Sequence, residues 1–439
     1  MEGMSVAVGI ASVAAIVIAI YAGAHIAIAL GMISFVGVVL LKGNVEVALN
    51  LLALAMADSI ADEAFATVPL YVMMGLVVSR AGLGRDIYEF ANDLFRPVRG
   101  GLGMATVAAN AIFASVTGSS IASSSVFAKV AIPEMLRYRY RRRFAVGVVA
   151  GSSVLGMIIP PSVMLIIYAV VTEQSVGAMF LAGVFPGLLL AFAYCVAIVF
   201  FSLVAPGFVG GERPREAALG LGKLAVDCIV KVGPVAVLVL IVLGGIYGGI
   251  LTPVESGAGG TVAALAIGAL KRRLTLHAVW RALVETGHIT ANILFLIIAA
   301  SIYSRMLGIA GLPTLFGEWL ASINLSFVGF MVMYVLVLLA LGTIIDTASI
   351  ILIAVPLFLH ALEPFGINLV WFGIVTVIGA EIGLLTPPFG ISCFVIKATV
   401  DDPSISLTDI FLGALPFAAV MLMVLCVLIA FPEISLVLV

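Results

Sequence analysis

Two proline pairs, Pro160-Pro161 and Pro387-Pro388, each fall in the middle of an apolar run long enough to cross a bilayer. Proline removes a backbone N–H and clashes with the carbonyl one turn back. Two in succession open the helix, and carbonyls freed in hydrocarbon persist only where they line a cavity or bind something. Each break therefore presents bare carbonyl oxygens beside the N-terminus of a half-helix; the plainer alternative is a kink in a packed helix. A polar, glycine-containing segment precedes each break. The first is Thr117-Gly118-Ser119-Ser120, inside a hydroxyl-rich stretch from Ser115 to Ser125; the second is Gly342-Thr343-Ile344-Ile345-Asp346-Thr347. Carbonyl and hydroxyl oxygens suit a hard cation such as Na⁺, and helix N-termini suit an anion. Ser119 and Ser120, faced by Ser162, are the better ligand candidates of the first set, because small residues also serve tight helix packing. Thr343, Asp346 and Thr347, with Thr386 before Pro387, hold the corresponding places in the second.

The remaining polar residues read more modestly. Asp346 either completes a cation site or caps a helix, and Glu381, deep in a span, titrates or pairs. Glu255 in LTPVESGAG reads as a helix cap, and Asp58, Asp62 and Glu63 as an interfacial loop. His25 and His288 have no partner at ligand spacing and read as structural. Cys195, Cys228, Cys393 and Cys426 lack metal spacing and read as small apolar core residues.

The elements that position these residues follow from composition and charge. Of 439 residues 63% are hydrophobic and 10% charged, with mean hydropathy +1.30. Too little polar surface remains to cover a soluble core, which excludes a soluble enzyme, a nucleic-acid binder and a disordered chain. The apolar runs are continuous rather than alternating, which disfavours a barrel. The fold class is an all-α polytopic membrane protein with roughly a dozen membrane segments of about 20 residues. The start, MEGMSVAVGI, reads as a first membrane helix rather than a removable signal.

Nine of the 21 Lys and Arg flank residues 101–136: Arg80, Arg85, Arg96 and Arg99 before, Arg137, Arg139, Arg141, Arg142 and Arg143 after. With both flanks cytoplasmic, this segment enters and leaves on one side. Arms of about 16 residues reach about 24 Å, short of the roughly 30 Å hydrocarbon core. That fits a re-entrant hairpin, with two short spans as the alternative. Residues 326–362 repeat the shape, but no Lys or Arg occurs from Met306 to Ile396, so this hairpin enters from the opposite face. GMIIPPSVMLIIY (156–168) and GLLTPPFGISCFV (383–395) follow, then FLAGVFPG (180–187) and FLGALPF (411–417). The order is an inverted-topology repeat, a construction of many secondary transporters, with both termini on the non-cytoplasmic side. The organisation expected is scaffold helices over 1–45 and a first repeat over 46–206 with connector 80–100, hairpin 101–136 and broken helix 144–172. A linking region over 207–270 follows, then a second repeat over 271–439 with connector 305–324, hairpin 326–362 and broken helix 369–399.

Over essentially its whole length the chain resembles the large membrane (M) subunit of tripartite ATP-independent periplasmic (TRAP) transporters. The motifs that carry the resemblance include Gly118-Ser119-Ser120-Ile121-Ala122, Ile132-Pro133-Glu134-Met135, and Leu155-Gly156 through Ile159-Pro160-Pro161-Ser162. Phe185-Pro186-Gly187, Gly245-Ile246-Tyr247-Gly248-Gly249-Ile250 with Thr252-Pro253-Val254-Glu255, and Gly383-Leu384-Leu385-Thr386-Pro387-Pro388-Phe389-Gly390 complete it. The resemblance implies an elevator-type carrier similar to divalent-anion sodium symporters, in the bacterial inner membrane. It also implies a small four-helix Q subunit and a soluble periplasmic substrate-binding protein that delivers organic acids and largely chooses the substrate. Asp62-Glu63, Glu381 and the heavy basic run 137–143 depart from the family pattern.

The reading that results is Na⁺-coupled uptake of a small carboxylate, with no cofactor beyond Na⁺ and no nucleic-acid partner. The cation ligands expected are Ser119, Ser120, Gly156, Pro160 and Ser162 in the first repeat and Gly342, Asp346, Thr347, Thr386 and Pro387 in the second. The anion is expected between them, at Ser119, Ser120, Pro161, Ser162, Thr343, Pro388 and Gly390. The rivals are proton coupling through Asp346 or Glu381, a channel, and an intramembrane enzyme; for an aspartyl protease Asp346 lacks the Gly-x-Gly-Asp context.

Overall fold

The computed structural model describes residues 2–211, 220–323, 325–362, 365–388, 390–400 and 402–439. Asn324 in the second connector, Phe389 beside the second proline pair and residues 212–219 of the linking region lie outside the described residues. The first half runs α1 (Glu2–Tyr21), α2 (Ile26–Lys42), α3 (Val45–Ala61), α4 (Thr67–Arg80), α5 (Leu83–Leu94), α6 (Gly101–Thr117) and α7 (Ser120–Arg137). It continues through α8 (Arg142–Ser153), the single turn α9 (Leu155–Ile158), α10 (Val163–Thr172) and α11 (Val176–Val204). After the turn α12 (Pro206–Val209), three short helices follow: α13 (Leu221–Asp227), α14 (Gly233–Val239) and α15 (Gly245–Tyr247). Two π-helical turns join them into one apolar helix from Gly222 to Tyr247. The chain then forms α16 (Pro253–Leu270), α17 (Leu276–Ala310), α18 (Leu312–Ser322), α19 (Phe327–Gly342), α20 (Thr347–Leu362), α21 (Leu369–Gly383), α22 (Ile391–Thr399), α23 (Leu407–Ala430) and α24 (Glu433–Leu436). No strand occurs among the described residues.

The order amphipathic helix, hairpin, broken helix, closing helix is present twice: α5, α6–α7, α8–α10, α11, then α18, α19–α20, α21–α22, α23. Matching prolines mark the two copies. Pro133 and Pro356 lie in the second hairpin arms, Pro186 and Pro416 in the closing helices, and both Pro-Pro peptide bonds are cis. Polar caps set the ends. Ser119 starts α7, Ser162 starts α10, Asn368 starts α21, and Thr252–Glu255 and Ser406–Asp409 form reciprocal capping boxes.

Among the described residues, five helical segments, or six with the broken pair Arg142–Ile158 and Val163–Thr172 bent by 42°, are long and apolar enough to cross a membrane. The hairpin arms and half-helices, among them Gly101–Thr117, Phe327–Gly342 and Leu369–Gly383, are shorter apolar helices. The run 46–79 also divides, since Asp62 caps a 3₁₀ turn at Glu63–Ala66 by accepting the Ala64 N–H (2.9 Å). The second connector starts later than its composition implies, because nothing interrupts α17 before Gly311 at φ +70°.

The charges hold the frame. Asp86, on α5, accepts from Lys271 (2.7 Å) and from Arg273 (2.8 and 2.9 Å), tying the first amphipathic helix to the turn between α16 and α17. Arg80 pairs with Glu285 on the same basic face. At the far end of α17 Arg305 pairs with Asp58, which therefore belongs to helix α3 and an interhelical ion pair rather than to a loop. Glu255 is the cap its context predicts. Of the cysteines only Cys393 is buried; Cys195 and Cys228 are half-buried and Cys426 is exposed, which corrects their reading as core residues. Lipid is the natural contact of such outward apolar side chains, as it is for the exposed Phe192, Ile229, Ile250 and Leu270.

Candidate ion and substrate site

Each polar tip is pressed onto the broken helix of its own half. Gly118 sits at φ +56°, closing α6, and a Cβ there would fall 2.6 Å from the Pro161 carbonyl oxygen. Only glycine meets both demands. Beside it, a Cβ on Gly156 would lie 2.9 Å from the Ser119 carbonyl, and one on Gly75 of α4 would lie 2.8 Å from the Thr117 carbonyl. The first tip is thus gripped between α4 and the Pro160-Pro161 break, and Gly118, Ser119, Gly156, Pro161 and Ser162 come together. Pro160 to Ser162 are buried throughout.

The hydroxyls divide into spent and unspent. Ser162 donates to the Met157 carbonyl (2.6 Å) and accepts the Leu165 N–H (3.4 Å), so its oxygen is engaged within the helix break. Thr117 and Ser115 bond back to Phe113 and Ile112. Ser119 accepts the Ala122 N–H at 3.3 Å. Ser123 and Ser124 are fully buried with no hydrogen-bond partner among the described residues. Asn110 donates to Ser152 (2.7 Å) while its Oδ1 is likewise unpartnered. Each such orphan costs about 1–3 kcal/mol, so these oxygens on the two hairpin arms mark places that take water or a ligand. The sequence reading missed Asn110 and Ser152. The signal was there, since Asn110 is the one amide in the otherwise apolar α6. A cavity of about 420 Å³ opens beside this tip, lined by Thr117, Gly118, Ser119 and Met157 on one side and Ile289, Ile293 and the Arg80–Glu285 pair on the other.

The second tip is built differently. Gly342 and Gly383 meet backbone to backbone: a Cβ on Gly342 would lie 2.8 Å from the Gly383 Cα, and one on Gly383 would lie 2.5 Å from the Gly342 Cα. Asp346 accepts the Ser349 hydroxyl (2.5 Å) and N–H (3.2 Å), so the carboxylate is a helix cap for α20. Thr347 donates to Glu381 Oε1 at 2.6 Å; Glu381 is fully buried and its Oε2 has no partner among the described residues. Thr343 and Thr386 bond to the carbonyls of Ala340 (2.8 Å) and Gly383 (2.7 Å). Gly342, Thr347, Gly383 and Glu381 therefore come together. Pro387 and Pro388 are exposed, and Gly390 packs against Phe411.

This architecture has known relatives. Residues 13–434 match the model of the tripartite ATP-independent periplasmic transporter, DctM component. The chain belongs to the DctM family. It is 31% identical to the C4-dicarboxylate TRAP transporter large permease protein DctM of Pseudomonas aeruginosa, over 88% of each chain. It is 30% identical to the sialic acid TRAP transporter large permease protein SiaM of Vibrio cholerae, over 89% of each. The crystal structure of the Alcanivorax borkumensis YdaH transporter superposes with TM-score 0.60 at 14% identity, over 87% of this chain and 88% of that one, and shares the fold. As a DctM-family chain the protein is a multi-pass membrane permease and the large membrane component of a tripartite transporter.

Proposed function

We propose that the chain is the large subunit of a Na⁺-coupled importer for a small carboxylate in a bacterial inner membrane. It works with a small Q-type membrane subunit and a periplasmic binding protein that presents the substrate. The observation that carries this reading is the contact of each glycine tip with its own broken helix, Gly118 on Pro161 and Gly342 on Gly383. Such contacts bring freed carbonyls, hydroxyls and half-helix N-termini to one spot in each half, the chemistry of a small hard cation and an anion held together.

In the first half, Ser119, Ser120, Gly156, Pro160 and Ser162 surround the cation, with the unspent oxygens of Asn110, Ser123 and Ser124 behind them. In the second, Gly342, Asp346, Thr347, Thr386 and Pro387 do so. Thr347 donates its hydroxyl hydrogen bond to Glu381, which leaves the oxygen lone pairs free for a cation. The carboxylate lies between, against Ser119, Ser120, Pro161, Ser162, Thr343, Pro388 and Gly390. The two hairpins with their broken helices move as a body past a frame of the remaining helices, with α5 and α18 as arms. The relatives named for C4-dicarboxylates and sialic acid agree with a carboxylate as cargo.

Uptake into proteoliposomes containing both membrane subunits, fed by the loaded binding protein, tests this. Accumulation should require an inward Na⁺ gradient and collapse without it; full uptake in Na⁺-free medium overturns Na⁺ coupling.

A further inference from the structure

The arginine run that anchors topology also builds a cavity. Arg139 and Arg141, between α7 and α8, and Arg142 and Arg143, which start α8, line a space of about 1070 Å³ with α12 and the loop before α23. A second space of about 310 Å³, lined by Arg96 and Arg99, shares Tyr140, Pro206, Gly210 and Gly211 with it. The two form one groove with six arginines.

The backbone that carries these guanidinium groups is fixed rather than loose. Arg141 N–H donates to the Val209 carbonyl (3.0 Å), Gly211 N–H donates to the Arg139 carbonyl (3.1 Å), and Tyr140 is bridged to Gly210. The acids of the larger space, Asp402 and Asp409, are already engaged. Hydrogen bonds from Ser404 hold Asp402 below the usual carboxylate range, and Asp409 accepts from Arg143 (2.8 Å) and from Ser406. Arg141 and Arg142 are exposed, and among the described lining residues arginines outnumber acids. Topology alone needs basic residues near the membrane; it does not need them converging on one concavity. Ser202 of α11 lines the smaller space, and the neighbouring Phe200, Leu203 and Val204 turn apolar side chains outward.

We propose that this groove binds the phosphodiester headgroup of an anionic phospholipid from the adjoining leaflet. Arg141 and Arg142 hold the phosphate, and an acyl chain runs along the Phe200–Val204 end of α11. Guanidinium forks match phosphate oxygens two at a time, and basic pockets on the cytoplasmic side of helix bundles suit such headgroups. The apolar track selects a lipid over free phosphate. The site does not depend on Na⁺ coupling.

Native mass spectrometry of the purified chain, delipidated and then offered phosphatidylglycerol or phosphatidylcholine, reads the site directly. The unaltered chain should retain phosphatidylglycerol in clear preference. Arg141→Gln with Arg142→Gln should lower that retention about fivefold or more, Arg141→Lys with Arg142→Lys should lower it less, and Arg272→Gln, on the same face outside the groove, should leave it unchanged. Thermal unfolding of the lipid-free Gln variant should match the unaltered chain, separating lost binding from lost folding. Equal retention in the Gln variant, or equal loss in Arg272→Gln, overturns the proposal. Inorganic phosphate raising Tm as much as phosphatidylglycerol does assigns the groove to a free anion and overturns the lipid.

Discussion

At the residue scale, the account rests on glycines that allow contact and on oxygens left without partners. Gly118→Ala forces a side chain into the left-handed region, costing about 1–2 kcal/mol, and against the Pro161 carbonyl. Uptake should fall about tenfold or more, while Gly287→Ala, where a Cβ meets nothing within 4 Å, should leave uptake intact. Glu381→Leu removes the acceptor that turns the Thr347 hydroxyl. A typical hydrogen bond contributes about 0.5–1.5 kcal/mol, so the Na⁺ concentration for half-maximal uptake should rise about fivefold with the chain still folded. An unchanged Na⁺ dependence would remove Glu381 from the cation's surroundings. Ser119, Gly342 and Thr347 were legible as polar residues at tips. The cap role of Asp346 is one of its two readings in the sequence; that Ser162 bonds to Met157 and that Asn110 bonds to Ser152 were not legible, because hydrogen-bond partners depend on distances that sequence does not carry.

At the element scale, the hairpins, both proline breaks and both amphipathic helices could be read from the chain, since each has a local cause: arm length, missing N–H groups, polar tips. The end of α17 could not be read as easily, because Arg305 breaks the apolar composition but not the helix, which continues to Ala310. A loop near Asp62 could be read, but not that Asp62 caps a 3₁₀ turn while Asp58 stays in α3. Elements that move must be separable from those that stay. Asp86→Asn leaves Lys271 and Arg273 without their shared carboxylate and should lower stability by about 1–3 kcal/mol, seen as a lower Tm. Its Na⁺ half-saturation should not change, because the tips are elsewhere. A cysteine pair replacing Ile121 and Ile293, which line the same cavity at the first tip and on α17, should cross-link and stop uptake until reduced. Undiminished uptake in the cross-linked form would contradict movement of the hairpin past α17.

At the scale of the whole molecule, the charge imbalance along the chain encodes the two-fold plan: arginines around one hairpin, none from Met306 to Ile396 around the other. The two copies are alike in order but unlike in chemistry. The first break is buried and backed by unpartnered oxygens, whereas the second exposes Pro387 and Pro388 and buries Glu381. The central claim is that each half nevertheless holds one coupling cation. Equilibrium binding of ²²Na⁺ to the purified membrane subunits measures this without any substrate. Saturable binding near one Na⁺ per half is predicted, with Gly118→Ala and Thr347→Val each removing one and the pair removing both. No saturable binding, or binding indifferent to both substitutions, would contradict the account.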